Sequence, residues 1–332
     1  MENWSFDLPM KIVIAGGGPA ALESAVSARK FSPEAEIDIY SAEKFLPYRR
    51  PALSGLLGAG KTLDAKTFFI KPETFFENEK INFHGGSAAV SVEKNDLILA
   101  DGRKIPFDRL ILACGSEAWK PPVPGADREN VYTLRSLSDM QHILEKLEKG
   151  VKNAVIIGGG VLGLEIAESF ISRDVETTVL ENSGRLFPGK LDETESAALL
   201  ERLLAHEHLN ILCGASAVKI NPGSVELADE KLLAADVVVI CCGSRPDLTL
   251  AHSAALECDK GVIVNEYMQS SREDIYAAGD TAQFNGRCFN LYMDAVASGK
   301  VAGANAAGAK EIFTAQFSPV RFFALGEKLV MK

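Results

Sequence analysis

The sequence predicts an α/β protein built on parallel sheets, and three observations support this fold class. The chain has 332 residues, enough for about two domains that each bury a core of their own. Hydrophobic residues make up 47% of the chain and glycines number 28, as expected for buried strands joined by tight turns. A short β-branched run, a glycine turn and a stretch with helical spacing follow one another twice along the sequence. We therefore expect two units of alternating strands and helices.

The charge and hydropathy of the chain exclude several classes of function. The formal net charge is −10, whereas nucleic acids and anionic membranes attract proteins with a surplus of Lys and Arg on one face. The opening MENWSFDLPMKIVIAGGG lacks the basic and long apolar segments of a signal peptide. No stretch approaches the roughly 18 apolar residues of a membrane span. We expect a cytoplasmic protein without nucleic-acid or membrane partners.

The cysteines show no pattern typical of a metal site or a redox pair. None stands in a C-x-x-C pair, and none has a histidine nearby at zinc-ligand spacing. Two neighbouring cysteines fall in the apolar run ADVVVICCGS, where adjacent strand side chains point to opposite faces. We predict reduced thiols and no metal site. The six cysteines are Cys114, Cys213, Cys241, Cys242, Cys258 and Cys288.

The first glycine turn has the features of a dinucleotide-binding fingerprint. The strand KIVIA (11–15) leads into GGGPAA (16–21), after which LESAVSARKF has helical spacing. Gly16 allows a sharp turn, Gly18 lets a pyrophosphate approach the main chain, and the helix start offers free amides. Glycine turns after strands often serve packing alone, so the prediction depends on this context of strand, turn and helix. The residues predicted to line the nucleotide are Gly16, Gly18, Pro19 and Ala20.

The next strand ends where a ribose-binding acid is expected. EIDIY (36–40) is followed by Ser41, which takes the place of the usual acid, and then by Glu43. The carboxylate of Glu43 is a possible substitute for the missing acid. Both Ser41 and Glu43 are therefore candidates for the ribose of the first nucleotide.

A second and complete fingerprint follows the strand AVII (154–157). GGGVLG (158–163) opens the helical LEIAESFISR, and the strand ETTVLE ends with Glu181, 23 positions after Gly158. A carboxylate there accepts both ribose hydroxyls and repels a 2′-phosphate, which favours NADH over NADPH, although nearby Arg185 argues for NADPH. The alternative is an unliganded domain in which Glu181 is a solvated charge. The predicted contact residues are Gly158, Gly160, Val161, Leu162, Gly163 and Glu181.

Two fingerprints imply two nucleotides, and flavin with nicotinamide is the commonest such pair. DRLILACGS (108–116) and ADVVVICCGS (235–244) follow one fingerprint each and end in Cys-Gly-Ser, and REDIYAAGD ends at Asp280. With the two glycine turns, these segments resemble the pyridine nucleotide-disulphide oxidoreductase superfamily over nearly all of residues 10–310. The resemblance implies two Rossmann-like domains, with an NAD(P)-binding domain inserted into a split FAD-binding domain.

The resemblance also implies domain boundaries and a shortened end. Only SPVRFFALGEKLVMK follows the last recognisable helix, where relatives continue with a small domain that often makes a dimer. We expect a truncated C-terminal domain, and a homodimer stays open. The implied domains are residues 1–117 (FAD, first part), 118–245 (NAD(H)), 246–312 (FAD, second part) and 313–332 (remnant of the C-terminal interface domain).

Several residue roles follow from the resemblance. FLPYRRPALS (45–54) is similar to the L-P-Y-x-R-P signature of NADH:rubredoxin reductases, related ferredoxin reductases and the flavin module of nitrite reductases. It implies that Arg50 contacts the FAD pyrophosphate; the alternative is a solvated arginine in a proline-rich turn. Asp280 corresponds to the acid that hydrogen-bonds the flavin ribityl chain. The glycines assigned in the same way are Gly115 and Gly279 for FAD and Gly243 for NAD.

Glu165 lies two residues after the second fingerprint, where related enzymes place an acid near the nicotinamide and flavin rings. Hydride transfer needs no proton abstraction, so the resemblance implies a positioning role for Glu165 and no acid or base catalysis. The alternative is a carboxylate in the first helical turn that complements the helix dipole.

The segment RRPALSGLL lacks the redox cysteines of the disulphide reductases in this superfamily. Electrons then leave directly from reduced flavin, to rubredoxin, ferredoxin, oxygen or a quinone. An NADH oxidase, a quinone reductase and a non-catalytic nucleotide-binding remnant therefore stay open. A cluster of basic residues forms either a docking patch for an acidic redox protein or an ordinary solvated loop. It comprises Arg49, Arg50, Lys61, Lys66 and Lys71.

Overall fold

The computed structural model describes residues 9–314 and 317–331, which form two compact units. The first unit contains the described residues up to Arg49, together with Ala65–Ser116 and the described residues of Pro246–Ser318. The second contains Arg50–Asp64, Glu117–Arg245 and the described residues from Pro319 onward. Residues 50–64, which the sequence had suggested for the FAD domain, thus belong to the second unit. The final hairpin belongs there as well.

The structure assigns the following elements within the described residues. The helices are α1 (Pro19–Phe31), α2 (Leu53–Leu56), α3 (Ala65–Phe68), α4 (Glu73–Asn78), α5 (Leu137–Glu148), α6 (Val161–Ile171), α7 (Glu193–Leu203), α8 (Thr249–Ser253) and α9 (Tyr292–Ala306). The strands are β1 (Lys11–Ala15), β2 (Glu36–Ser41), β3 (Ile81–Gly85), β4 (Ala89–Glu93), β5 (Asp96–Leu99), β6 (Lys104–Pro106), β7 (Arg109–Leu112), β8 (Ser116–Ala118), β9 (Val131–Tyr132), β10 (Asn153–Ile157), β11 (Glu176–Glu181), β12 (Leu209–Cys213), β13 (Ala217–Asn221), β14 (Ser224–Leu227), β15 (Leu232–Ala234), β16 (Val237–Ile240), β17 (Ser244–Pro246), β18 (Val262–Ile263), β19 (Ile275–Ala277), β20 (Ala282–Phe284), β21 (Arg287–Cys288), β22 (Val320–Phe322) and β23 (Leu329–Met331).

The first unit is built on a five-stranded parallel sheet in the order β19-β7-β1-β2-β3. Its central strand β1 buries Ile12, Val13 and Ile14 completely, which is typical of a parallel sheet covered on both faces. Because all five strands run in the same direction, the residues that follow β1, β7 and β19 meet at one edge of the sheet.

The second unit repeats this arrangement with the order β12-β11-β10-β16-β9, also parallel. Strand β10 takes the central place that β1 has in the first unit. An antiparallel meander follows strand β3 in the first unit (β4-β5-β6) and strand β12 in the second (β13-β14-β15). The prediction of an α/β chain with two parallel-sheet units is therefore confirmed.

Helices α1 and α9 of the first unit pack unusually closely. A Cβ atom added at Gly299 would lie 2.5 Å from the Ala20 carbonyl oxygen, and one at Gly303 would lie 2.0 Å from the Ser24 carbonyl oxygen. The Ser24 hydroxyl also lies 3.0 Å from the Gly299 carbonyl oxygen. Small residues in α9 thus let it lie directly against the helix that follows the first glycine turn.

Within residues 9–314 and 317–331, no helix is both long and apolar enough to span a bilayer.

Candidate nucleotide-binding sites

The two glycine turns have the same backbone requirement. Gly16 has a φ of +129°, and a Cβ atom there would lie 2.0 Å from the Ala113 carbonyl oxygen. Gly158 has a φ of +117°, and a Cβ atom there would lie 2.4 Å from the Cys241 carbonyl oxygen. In each unit the turn passes directly over the strand beside it, and only glycine fits there.

The third glycine of each turn faces open space. A Cβ atom at Gly18 or Gly160 would meet no protein atom within 4 Å. Both residues are N-caps, of α1 and α6, and neither supplies a side-chain hydrogen bond to the helix. Helices α5 and α7 differ, because Ser136 and Asp192 close capping boxes at their N-termini. The first amides of α1 and α6 are thus free for a phosphate, and both cradles fit a pyrophosphate.

The residues that open the two helices differ in what they can contribute. Pro19 has no amide proton but a backbone angle that suits the first helical position, so Ala20 carries the first helical N–H of α1. In the other unit both Val161 and Leu162 carry an amide, and the Leu162 side chain is 37% exposed. A Cβ atom at Gly163 would lie 2.0 Å from the Gly158 carbonyl oxygen, so this glycine serves the packing of helix on turn.

The ends of β7 and β19 are tied together in the first unit. The Gly115 amide donates to the Thr281 hydroxyl at 2.7 Å, and the Ser116 hydroxyl donates to Asp280 Oδ2 at 2.8 Å. Gly279 has a φ of +66° and donates its amide to the Ser298 hydroxyl at 3.0 Å. The predicted residues Gly115, Gly279 and Asp280 therefore lie at the same edge of the sheet as the first glycine turn, since a Cβ atom at Gly279 would lie 2.9 Å from Ala20 Cβ.

The two candidates for the first ribose are arranged differently. The buried Ser41 hydroxyl would lie 2.1 Å from a Cβ atom at Gly17, so the serine stands directly behind the glycine turn. It donates to the Glu43 carbonyl oxygen at 2.9 Å. The Glu43 carboxylate accepts a hydrogen bond from the Tyr48 hydroxyl at 2.7 Å. The tyrosine of the L-P-Y signature thus holds the acid near the strand end.

Glu181 stands at the matching place in the second unit and is held by main-chain amides. Its Oε2 accepts from the Gly159 amide at 3.0 Å, and its Oε1 accepts from the Ser183 amide at 2.8 Å. Arg185 is directed elsewhere, because its guanidinium donates to the Leu191 carbonyl oxygen. The main-chain amides hold a fixed carboxylate at the end of β11, beside the glycine turn.

Gly243 follows β16 with a φ of +93°, and a Cβ atom there would meet nothing within 4 Å. It corresponds to Gly115 in the first unit, which has a φ of +80° and also follows a cysteine and the strand beside the central one. The Gly243 carbonyl oxygen accepts from the Trp119 amide at 2.9 Å.

Glu165 is the fifth residue of α6, so it lies beyond the first helical turn in which a carboxylate best complements the dipole. Its Oε2 accepts a hydrogen bond from the Ser54 hydroxyl at 2.8 Å. Burial raises the pKa of this carboxyl above its usual range, and the hydrogen bond from Ser54 opposes the rise. Arg50, in the same segment as Ser54, donates to the Arg135 carbonyl oxygen at 2.5 Å.

A family model for the pyridine nucleotide-disulphide oxidoreductases matches residues 10–307, which is most of the chain. The chain belongs to this family. The resemblance inferred from the motifs is thereby confirmed, and so is an NAD(P)H-dependent oxidoreductase that uses FAD.

Three curated proteins illustrate the branch of the family. The assimilatory nitrate reductase electron transfer subunit of Bacillus subtilis is 29% identical over 90% of this chain and 39% of its own length. The NADH-rubredoxin oxidoreductase of Clostridium acetobutylicum is 32% identical, over 90% of this chain and 75% of its own. The NADH oxidase of Methanocaldococcus jannaschii is 31% identical, over 94% and 72%. The chain therefore spans between about two fifths and three quarters of these relatives.

Solved structures of the family agree with the fold. The NADH:rubredoxin oxidoreductase from Clostridium acetobutylicum superposes with a TM-score of 0.83 at 29% identity, covering 95% of this chain and 79% of that one. The reductase in a covalent putidaredoxin reductase-putidaredoxin complex gives a TM-score of 0.85 at 26% identity, covering 95% and 78%.

The thiols of this family member are poorly suited to redox chemistry. Burial raises the pKa of Cys114 to about 12 and that of Cys242 to about 11, and it raises the pKa of Cys241 as well. The Cys114 and Cys242 sulphurs lie near the carbonyl oxygens of Ala15 and Ile157, at 3.6 and 3.3 Å. Neutral thiols of this kind are weak nucleophiles. All six cysteines lie within the described residues and are free thiols.

The basic cluster is divided between the two units. Arg49, Lys66 and Lys71 belong to the first unit, and Arg50 and Lys61 belong to the second. The exposed Arg49 donates to the Thr67 carbonyl oxygen at 2.9 Å.

Four residues of the sites were not foreseen from the sequence. Thr281 and Ser298 tie the edge of the first sheet, Tyr48 holds Glu43, and Ser54 holds Glu165. Tyr48 and Ser54 stand inside the recognised signature segment, which is the one signal that pointed to them.

Proposed function

We propose that this chain is an NADH-dependent flavoprotein that passes electrons to a small redox protein such as rubredoxin or ferredoxin. One observation carries the proposal: each unit has a glycine cradle open in front of an uncapped helix N-terminus. Two such cradles in one chain hold two dinucleotides. When bound, FAD takes up a hydride from NADH and supplies electrons to the acceptor.

The first unit holds FAD in this proposal. The pyrophosphate lies against Gly16, Gly18 and the first amides of α1, and the Asp280 carboxylate hydrogen-bonds the ribityl chain. Support comes from the tie between Ser116 and Asp280, which fixes the carboxylate at the same sheet edge as the glycine turn. Ser41 and Glu43 are assigned to the adenosine ribose, while Arg50, which the resemblance assigns to the FAD pyrophosphate, belongs to the second unit.

The second unit holds NADH. Its pyrophosphate lies against Gly158, Gly160 and the first amides of α6, and Glu181 accepts the adenosine ribose hydroxyls. The fixed carboxylate opposes a 2′-phosphate through charge repulsion. Arg185 is directed to the Leu191 carbonyl oxygen, which supports NADH over NADPH. Glu165 has a positioning role toward the nicotinamide.

A one-electron redox protein is the acceptor that fits best. The signature segment contains no cysteine, so a disulphide substrate has no thiolate to react with. Relatives named as rubredoxin reductases and a structure of a reductase joined to putidaredoxin support a small redox protein as the partner.

The test is anaerobic addition of NADH to the FAD-loaded protein, followed at the flavin absorbance band. Stoichiometric bleaching is expected, with slower bleaching by NADPH. Rubredoxin, ferredoxin, a quinone and oxygen are then added separately, and the fastest return of the band identifies the acceptor. A protein that takes up FAD but is not bleached by NADH contradicts the proposal and indicates a non-catalytic nucleotide binder.

An NADH oxidase is the second candidate, because one such enzyme is similar over 94% of this chain. It predicts rapid oxygen consumption with NADH alone and no acceleration by rubredoxin or ferredoxin. The acceptor panel therefore separates the two functions.

A further inference from the structure

A polar stripe runs along one face of α6 and the residues just after it. Glu165, Ser169, Ser172 and Arg173 are spaced at i, i+4, i+7 and i+8, which places them on the same side of a helix. Most other residues of α6 are apolar and buried, including Leu164, whereas these four side chains are polar. All four bind the segment of residues 50–64, which belongs to the same unit.

Three members of the stripe bind main-chain atoms of this segment. The Ser169 hydroxyl donates to the Ser54 carbonyl at 2.7 Å, the Ala59 amide donates to the Ser172 hydroxyl at 3.0 Å, and Arg173 donates to the Leu57 carbonyl and, at 3.2 Å, to the Gly58 carbonyl. These bonds fix the path of the main chain. The bond from Ser169 to the Ser54 carbonyl therefore helps to orient Ser54.

Glu165 alone receives a side-chain hydrogen bond from the segment. Ser54 is 4% exposed and its hydroxyl lies 2.8 Å from Glu165 Oε2, whereas its next acceptor, the Pro51 carbonyl, is 3.5 Å away. The single hydroxyl proton therefore goes to the carboxylate. Among the residues that the structure describes, no Lys, Arg or His nitrogen lies within 4.0 Å of Glu165.

The surroundings of this carboxylate leave Ser54 as its main support. Burial raises the pKa of Glu165, and the like charge of Glu168 on the same helix raises it further. Two arginines of this unit donate to main-chain carbonyls instead, Arg50 to that of Arg135 and Arg173 to those of the segment. Only the hydrogen bond from Ser54 favours the ionised form.

We propose that Ser54 is a positioning residue that keeps Glu165 ionised and in one orientation toward the nicotinamide. The inference rests on the proposed function, in which α6 holds NADH. Hydride donation leaves a positive charge on the nicotinamide ring, and a nearby carboxylate stabilises that charge in a site of low dielectric constant. A protonated Glu165 supplies no such charge, so the rate of hydride donation depends on the Ser54 hydroxyl.

The test compares Ser54→Ala, Ser54→Thr and Glu165→Gln with the wild type. Flavin reduction by NADH is followed anaerobically by stopped flow between about pH 5 and pH 9. The rate in the wild type should fall at low pH as Glu165 is protonated. Ser54→Ala should move this fall upward by about one to two pH units, the equivalent of one hydrogen bond to a charged group. Ser54→Thr keeps a hydroxyl and should restore the wild-type profile, and Glu165→Gln should be slow without the inflection.

Ser172→Ala is the matched control, because it removes the bond from the Ala59 amide to the same stripe without touching Ser54 or Glu165. Its midpoint in pH should equal that of the wild type even if its thermal stability falls. The inference is overturned if the pH midpoint of the rate in Ser54→Ala equals that of the wild type. It is also overturned if Ser54→Thr shifts this midpoint as far as Ser54→Ala does.

A second measurement does not depend on turnover. In protein labelled with carboxyl-¹³C glutamate, the signal missing from Glu165→Gln identifies Glu165, and its pH titration is read by NMR. Ser54→Ala should titrate at higher pH than the wild type, and identical curves overturn the inference. Absence of bleaching by NADH in the wild type contradicts the proposed function instead, while the NMR titration still decides whether Ser54 controls Glu165.

Discussion

The Ser116 hydroxyl donates to Asp280 Oδ2 at 2.8 Å, although 164 residues separate the two in sequence. Ser116 follows β7, and Asp280 follows β19, the neighbouring strand of the same parallel sheet. The chain leaves the first unit directly after Ser116 and returns at Pro246. This hydrogen bond thus joins the two portions of the unit that the second unit interrupts, at the edge where the first glycine turn lies.

Asp280→Ala should purify largely without flavin. The variant removes a hydrogen bond from a charged group, which contributes about 1.5–3 kcal/mol and corresponds to roughly 10- to 150-fold weaker FAD binding. The ratio of flavin to protein absorbance, followed by titration with FAD, measures the loss. Asp229→Ala is a control, since Asp229 is an exposed aspartate of the second unit. A fully yellow Asp280→Ala protein would contradict the assigned role.

Glu181→Arg should move cofactor preference toward NADPH. The wild-type carboxylate is held by two main-chain amides, and its replacement by a guanidinium removes the repulsion of a 2′-phosphate and adds a partner for it. The ratio of kcat/KM for NADH over NADPH should fall by about tenfold or more, equivalent to about 1.4 kcal/mol. Glu176→Arg changes charge at the exposed start of the same strand and should leave the ratio unchanged. An unaltered ratio in Glu181→Arg would show that this residue does not read the ribose.

Alkylation of the native protein should spare Cys114. Burial raises its pKa to about 12, so the thiolate fraction at about pH 8 is roughly a thousandfold below that of a free cysteine. Iodoacetamide labelling of this residue, read by mass spectrometry of peptides, should be slow in the native protein and complete in denaturant. Flavin reduction by NADH should survive the native treatment. Rapid labelling of Cys114 accompanied by loss of flavin reduction would place a reactive thiol in the mechanism.

Gly303→Ala should destabilise the protein. Its Cβ atom would lie 2.0 Å from the Ser24 carbonyl oxygen, so α1 and α9 must separate. Overpacking of this kind costs about 1–3 kcal/mol, more than the roughly 1 kcal/mol that alanine gains over glycine in a helix. Urea unfolding followed by circular dichroism measures the change. Gly184→Ala, where no atom lies within 4 Å, should stay within about 0.5 kcal/mol of the wild type, and an undiminished midpoint for Gly303→Ala would refute close packing of these helices.

The glycine turns could be predicted in detail because their requirements are local. Gly16 and Gly158 adopt positive φ values over a neighbouring strand. A strand followed by a glycine turn and a helix can be recognised from a short stretch of sequence. The presence of two similar units could be predicted in the same way, since both halves of the sequence carry the same order of motifs. Glu181 was foreseen at the strand end for the same reason.

Contacts between distant segments were not accessible in this way. The bond from Thr281 to Gly115 joins residues 166 positions apart, and the bond from Ser54 to Glu165 joins residues 111 apart. No local sequence pattern distinguishes a serine that lies in a turn from a serine that hydrogen-bonds a buried carboxylate. The signature spans residues 45–54, but its second half belongs to the second unit, where the polar stripe of α6 binds main-chain atoms of residues 54–59.

The sequence by itself determined the two nucleotide cradles, the parallel sheets that carry them and the absence of a redox cysteine pair in the signature segment. These properties depend on backbone freedom, hydrophobic periodicity and residue type over short stretches of chain. Only the tertiary structure decided which polar groups support the predicted site residues, among them Ser116 for Asp280 and Ser54 for Glu165. The reason is physical: a hydrogen bond needs two groups about 3 Å apart, and for residues far apart in sequence that distance is set by the packing of whole strands and helices.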